Sequence, residues 1–306
     1  MESLPARESL LARLGSRARI AVIRLRSLGD CVLTTPALAL LKAHRPDLRI
    51  RMVVEPRFAG VFEGHPDIEE ISPDVGRHMD MVLNLHGGSR SMWMTLASGA
   101  KLGVGFGHHR YSWIYSHKIP RAQEILGEER PVHTAEHLAS AMFWLGVPRT
   151  EIPRARLIAG KQPAYLPYVV VHPFASAPPK AWPLARFVEV AERLQSAGLE
   201  PMILAGPADD ASAFARFQVF RNAPLADVKN LMSGAGLFIG NDSGPAHIAA
   251  AFGVPVVVLF GPSNPVTWAP WRTEARVLTS QGDIGQIGID EVMAATETLR
   301  GARARA

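Results

Sequence analysis

A single cysteine, Cys31, is all the sequence contains, which excludes an intramolecular disulfide and a thiolate metal cluster. Long apolar runs are missing as well: none approaches the ~18–20 residues that a membrane-spanning helix needs. Residues 1–19 mix acidic and basic side chains among their leucines and have no apolar h-region, so they do not read as a signal peptide, and a cytoplasmic protein is expected. Aromatic residues make up only 7% of the chain. No aromatic–basic ladder or zinc-finger spacing is present, so nucleic acid is not an expected partner. Acidic residues are in the minority, 28 against 33 Lys and Arg, for a net charge of +5. That balance suits nucleotides, phosphorylated glycans or an acidic lipid surface, and is compatible with peripheral contact at the inner face of the membrane. The three-glycine dinucleotide fingerprint is absent too. Neither the turn 26–30 nor Gly103, Gly105 and Gly107 has the GxGxxG spacing, which counts against a nicotinamide enzyme.

What is present is a chain of 306 residues, 47% hydrophobic and 20% charged, long enough for two packed domains. Short β-branched runs alternate with longer helical patterns, the signature of parallel βαβ units. Strands are expected at 20–25, 50–55, 81–85 and 102–106, with helices at 31–44 and 135–145, the latter closed by Gly146. Residues 152–167 are polar and rich in Gly and Pro, and read as a linker. The pattern restarts with strands at 168–172, 202–205, 237–240 and 255–260, and with helices at 184–197, up to Gly253, and at 291–299. The expected fold is α/β: two Rossmann-like doubly wound domains, 1–160 and 161–306, facing each other across a cleft.

The most informative stretch is LFIGNDSGPAHIAAAFGVPVVVLFG. A strand ends at Gly240, and Asp242 or Ser243 can cap the helix that follows. Gly244 lets the backbone approach a ligand, Pro245 fits a first helical turn, and the helix start is a ready anion site. A capped helix alone would explain part of this; Asp242, Ser243, Gly244 and His247 together exceed what a cap requires. A second turn, Ser27-Leu28-Gly29-Asp30, leads from strand to helix. The positive end of a helix holds a negative charge there, and a general base must begin as the anion, although an N-cap role accounts for the residue type equally well. A third segment, PFASAPPKAWP, leads from the strand at 168–172 into a helix. Lys180 is its only charge, beside Trp182 as a shield from water, and a lysine over a diphosphate would offset charge on a leaving nucleotide.

Other residues carry weaker signals. Arg57, Arg90 and Arg110 are candidates for an anion-reading surface facing a phosphorylated or acidic-sugar acceptor, against a plain reading as solvated loop arginines. His108 and His109 lack acidic or cysteine partners at ligand spacing and read as surface histidines, so no metal is expected. Cys31 reads as a small buried hydrophobe. Asp209 and Asp210 are candidates for a ribose hydroxyl, against a solvated turn.

DSGPAH, followed by AAAFGVP and LFGPSNP, resembles the donor-site signature of the bacterial ADP-heptose:lipopolysaccharide heptosyltransferases. IAVIRLRSLGDCVLTTPALALLKAHRP and VVVHPFASAPPKAWPLARFVEVAERL are similar to the openings of that family's two domains, in the same order. The resemblance implies a GT-B type fold, with the acceptor on the N-terminal domain, a nucleotide-diphospho-sugar donor on the C-terminal one, and no required metal or other cofactor. It implies an inverting glycosyltransferase that moves a heptose, or a related sugar, from an ADP-sugar to an anionic glycan or glycolipid acceptor in lipopolysaccharide biosynthesis. Asp30 falls on the family's proposed catalytic base. Lys180 and Ser176 fall on its phosphate contacts, while Ala175 stands where relatives often carry a second hydroxyl. Residues 206–233 are shorter than the family pattern, so the nucleobase is the least defined part of the donor. The alternatives are a non-catalytic sugar-nucleotide-binding protein of the same fold, an α/β oxidoreductase, and a transferase with a protein or secondary-metabolite acceptor.

Overall fold

The computed structural model describes residues 9–160, 168–280 and 282–303. The chain divides into two compact units, Met1–Pro153 and Arg154–Ala306. Residues 161–167 of the expected linker lie outside the described residues.

Unit 1 runs β1 (Arg19–Ile23), α1 (Leu28–His44), β2 (Arg49–Val53), β3 (Glu70–Ser72), β4 (Met81–Asn84), α2 (Ser89–Ala97), β5 (Leu102–Phe106), β6 (His117–Ile119), α3 (Ala122–Leu126) and α4 (Thr134–Leu145). Unit 2 runs β7 (Tyr168–His172), α5 (Leu184–Ser196), β8 (Glu200–Ala205), β9 (Gln218–Arg221), α6 (Leu225–Gly234), β10 (Leu237–Asn241), α7 (Gly244–Ala251), β11 (Val256–Phe260), α8 (Pro265–Trp268), β12 (Ala275–Thr279) and α9 (Ile289–Arg303). Each unit has one six-stranded sheet, ordered β3-β2-β1-β4-β5-β6 in the first and β12-β11-β10-β7-β8-β9 in the second. Every strand pair is parallel. Read from its own first strand, each sheet has the same Rossmann order, and the order reverses between β1 and β4 and between β7 and β10. Ligands of open α/β sheets bind at the strand C-terminal ends beside such a reversal.

Apart from polar residues at their ends, the central strands are apolar because helices cover both faces of a parallel sheet. In β7 and β11 every residue is buried. Unit 2's core gathers Trp182, Phe187 and Phe214 over Val169, Val171 and Ile239. Trp182 is fully buried; its ring meets Phe187 edge-on at 4.9 Å and its Nε1 donates to the Ile287 carbonyl at 3.0 Å. The shield expected for Lys180 is therefore a core anchor of the loop, drawn inward by its large apolar ring. Cys31 is buried, and the loss of water pushes its thiol up to about 12, so it behaves as a small hydrophobe.

Several boundaries move. Helix α1 starts at Leu28 with Ser27 as N-cap, which places Asp30 inside the first turn and not at the cap. Residues 206–233, read as shorter than the family pattern, contain β9 and nearly all of α6. Asp209 accepts from the Gly206 amide at 2.7 Å and Asp210 from the Ser212 amide at 2.9 Å, so these carboxylates close their own turn. The expectation of surface histidines is corrected for His109, which is half-buried. Its ring covers Gly87, where a Cβ would lie 2.6 Å from the imidazole, and it is 3.3 Å from the Tyr115 hydroxyl. Burial, followed by the charges of His108 and His137, pulls its imidazole down to about 3.

Candidate functional site

In unit 2 the site grows from the ends of the adjacent strands β7 and β10. The last residue of β10, Asn241, is fully buried. Its Nδ2 donates to the Pro173 carbonyl at 2.9 Å, and its Oδ1 accepts from the Trp182 amide at 3.1 Å. A single side chain thus ties both ends of the loop after β7 to β10 and satisfies two buried backbone groups. The next residue, Asp242, is 8% exposed and its carboxylate takes a hydrogen bond from Lys180 Nζ at 2.9 Å. A buried carboxylate without a cation would be strongly unfavourable, so Asp242 fixes where Lys180 can be. Lys180 keeps 32% of its side chain exposed, leaving donor positions of its ammonium open to a ligand.

Beneath Lys180, the Pro178–Lys180 turn presses on Gly261, where a Cβ would stand 2.4 Å from the Pro179 carbonyl oxygen. Only glycine lets the end of β11 come that close. Ser243 is the N-cap residue of α7, yet its hydroxyl makes no capping bond. Its Oγ lies 3.2 Å from His172 Nδ1, a correction to the capping expectation that follows from the imidazole standing at the end of β7. Gly244 opens α7, Pro245 sits in its first turn and His247 is buried in the same helix. Ser176 is exposed on the loop after β7. The structure therefore brings Lys180, Asp242, Ser243 and Gly244 to one switch point, with Ser176 on the same loop as Lys180.

Unit 1 has a second site at its own switch point. Arg24, just past β1, donates through Nη1 to the Leu85 carbonyl at 2.5 Å and pairs through Nη2 with Asp30 Oδ1. The other oxygen, Oδ2, accepts from Ser27 N at 3.2 Å and Ser27 Oγ at 3.0 Å. The Arg26–Ser27 peptide in this turn is cis. The Asp30 carboxylate, 16% exposed, is thus oriented from both sides. A cavity of about 520 Å³ opens here, lined by Arg24, Arg26, Asp30, Arg57, Phe58 and His86. Burial first, then the charges of Arg24 and Arg26, hold the His86 imidazole below its ordinary value, so it is a neutral wall.

Of the three candidate arginines, two converge: Arg57 and Arg90 approach Glu55 at 3.0 and 3.6 Å. Both remain largely exposed, at 64% and 59%. Arg110 is placed elsewhere, its guanidinium 5.6 Å from the Tyr111 ring centre. Arg24 and Phe58 were not picked out from sequence; Arg26 opens the turn 26–30, and His86 stands in the segment 84–90 after a buried strand, where a ligand could approach Gly87 and Gly88. An arginine ending a buried strand next to an SxGD turn was the one available signal. Among the described residues, no group of three or more His, Cys, Asp or Glu is arranged to hold a metal ion.

Two Rossmann-ordered units, each with polar groups gathered at its switch point, define a two-domain α/β fold. The model of glycosyltransferase family 9 (heptosyltransferase) matches residues 74–286, and the chain belongs to that family. It is a glycosyl-transfer enzyme with the GT-B fold. Lipopolysaccharide heptosyltransferase 3 of Escherichia coli is 26% identical over 288 residues, covering 79% of this chain and 83% of its own. Lipopolysaccharide heptosyltransferase 1 of Pseudomonas aeruginosa is 25% identical over 289 residues, covering 81% and 79%. Among solved structures, the family 9 glycosyl transferase of Veillonella parvula superposes with a TM-score of 0.83 at 24% identity, over 94% of this chain and 98% of its own. The E. coli heptosyltransferase WaaC with ADP gives 0.77 at 19%, over 92% and 99%. A further structure of the same fold, TibC of enterotoxigenic E. coli, is described as iron-containing; it gives 0.66 at 20%, over 95% of this chain and 78% of its own.

Two predictions follow from the unit 2 geometry. Asn241→Ala leaves the Pro173 carbonyl and the Trp182 amide buried and unpaired, and is expected to cost about 2–4 kcal/mol. Urea denaturation followed by tryptophan fluorescence measures it, and a loss below about 0.5 kcal/mol would show that the loop is held otherwise. The second concerns acid. Burial pulls the His172 imidazole down to about 4, with Asp209 opposing. The unfolded chain therefore binds a proton below its ordinary value of about 6.5 that the folded chain refuses, so stability is lost as pH falls from about 6.5 towards 4, by at most roughly 3 kcal/mol for this group. His172→Gln is expected to flatten the stability–pH curve in that window; an unchanged slope would remove His172 as a cause.

Proposed function

We propose that the protein is an inverting heptosyltransferase that moves a heptose, or a closely related sugar, from an ADP-sugar to a lipopolysaccharide-type glycan acceptor. The supporting observation is the Lys180–Asp242 pair beside the start of α7 in a chain of the heptosyltransferase family. In this reading unit 2, with residues 161–306 of the chain, binds the donor and unit 1, within residues 1–160, takes the acceptor. The chain works at the cytoplasmic side of the membrane, where a glycolipid acceptor is presented. No described helix is long and apolar enough to cross a membrane.

Asp30 takes the proton from an acceptor hydroxyl as that oxygen attacks the anomeric carbon. One new C–O bond forms on the face opposite the leaving group, and the bond to the diphosphate breaks with its electron pair. The carboxylate already bonds Arg24 and Ser27. A carboxylate has about four lone-pair directions, so it retains one for the incoming hydroxyl, and its two partners hold it in register. The departing diphosphate gathers charge, which Lys180, the Ser176 hydroxyl and the α7 start at Ser243–Gly244 stabilise. Asp242 anchors Lys180 and orients sugar hydroxyls, and His247 supports the site. Arg57 and Arg90, clustered around Glu55, contact an anionic acceptor, with Arg110 further out. No step is assigned to a metal, because the lysine and the helix start supply the positive charge.

Asp30→Asn separates binding from chemistry. Transfer from ADP-heptose is expected to fall by about 10²–10⁴-fold, while calorimetry returns donor affinity close to wild type. Transfer at the wild-type rate would remove Asp30 as the base.

A further inference from the structure

Residues 81–123 contain no Asp or Glu, although the whole chain has 28. Of the exposed large hydrophobic side chains among the described residues, Trp93, Leu96, Trp113, Leu184 and Val266, the first three fall in this stretch. Trp93 and Trp113 are 65% and 69% exposed, an unusual state for the side chain with the largest apolar area. Trp93 and Leu96 are three residues apart on α2 and share a face. Trp113 sits on the loop between β5 and β6. That loop is seated on the turn that opens α2, because the His109 ring covers Gly87 and Gly88 is the N-cap of α2. The same loop carries Arg110, and Lys118 in β6 lies beside Gly107, both exposed.

We infer that this face of unit 1 docks on an anionic lipid surface, with Trp93, Leu96 and Trp113 entering the headgroup region and Arg110 and Lys118 meeting lipid phosphates. Tryptophan prefers that boundary because its ring is apolar while its N–H remains hydrogen-bonded. Each basic side chain near the surface adds attraction of its own. The charge pattern argues against a second copy of the chain as occupant: a two-fold interface sets a patch against itself, and here it would oppose Arg110 and Lys118 with no Asp or Glu in the stretch 81–123 to pair them. A single-stranded nucleic acid would use the tryptophans by stacking, but it leaves Leu96 with no role. The inference builds on the proposed glycolipid acceptor, since docking would hold unit 1 where such an acceptor is embedded.

The test is co-sedimentation of the full chain with mixed phosphatidylglycerol–phosphatidylcholine vesicles and with pure phosphatidylcholine vesicles. Binding is expected to the mixed vesicles, weakening as salt is raised. The double variant Trp93→Ala/Trp113→Ala is expected to lower that affinity at least about tenfold. Lys118→Gln should lower it about fivefold. Both variants change exposed side chains only, so melting temperature and transfer to a short water-soluble acceptor should match wild type. Equal sedimentation of wild type and double variant would overturn the inference. So would tight binding to single-stranded RNA, or a dimer that the same substitutions dissociate, if vesicle binding is absent. The two proposals fail separately: vesicle binding without any transfer sinks the function alone, and transfer without vesicle binding sinks the docking alone.

Discussion

A buried carboxylate must be given a cation, and in unit 2 that requirement organises the site. Asp242 follows directly on a fully buried strand, and among the described residues it is paired with Lys180, 62 residues earlier in the chain. The lysine can arrive only because the loop that carries it is pinned at both ends by Asn241, anchored below by Trp182, and seated on Gly261. Side chains that never touch a ligand thus set the position of the one charge that would meet a diphosphate. The ion pair with Asp242 keeps Lys180 oriented at this point of the loop.

The two units solve the same topological problem with related parts. Asn84 ends β4 as Asn241 ends β10, at the same place in the strand order. In unit 1 the amide works locally, with Oδ1 accepting from the amides of His86 and Gly87 at 3.0 Å each and Nδ2 donating to Thr95 at 3.0 Å. It shapes the turn that opens α2. In unit 2 it reaches across to a neighbouring strand's loop. The difference matches the proposed roles: a tight turn frames an acceptor cavity, while a long tethered loop can carry a lysine over a donor.

The fold was largely legible in the sequence where burial is complete. The strands Leu102–Phe106 and Tyr168–His172 fall on the residues expected, because a run of apolar and β-branched residues flanked by turns has few other solutions in a parallel sheet. Helix α2 escaped because it begins after two glycines and no side chain caps it, and α6 because Pro224 precedes it and Lys229 and Asn230 interrupt its apolar pattern. Strands β6 and β9 lie at sheet edges, where half-exposed sequences such as HKI and QVFR lose the buried signature. At the sites, glycines and acids in motifs were readable, whereas Arg24 was not, because its meaning lies in a fold-dependent contact with Asp30 and Leu85. Asn241 stood in the motif, but its partners 59 and 68 residues away are visible only in three dimensions.

The central claim is that the Lys180–Asp242 switch point of unit 2 holds a nucleotide diphosphate. Calorimetric titration with ADP and with adenosine, on the wild type and on Lys180→Gln, tests it most directly. The account predicts that the wild type binds ADP at least about a hundredfold more tightly than adenosine, from about two charge-assisted contacts, and that Lys180→Gln removes most of that advantage while leaving adenosine binding unchanged. Equal affinity for ADP and adenosine, or an ADP affinity indifferent to Lys180→Gln, would contradict it.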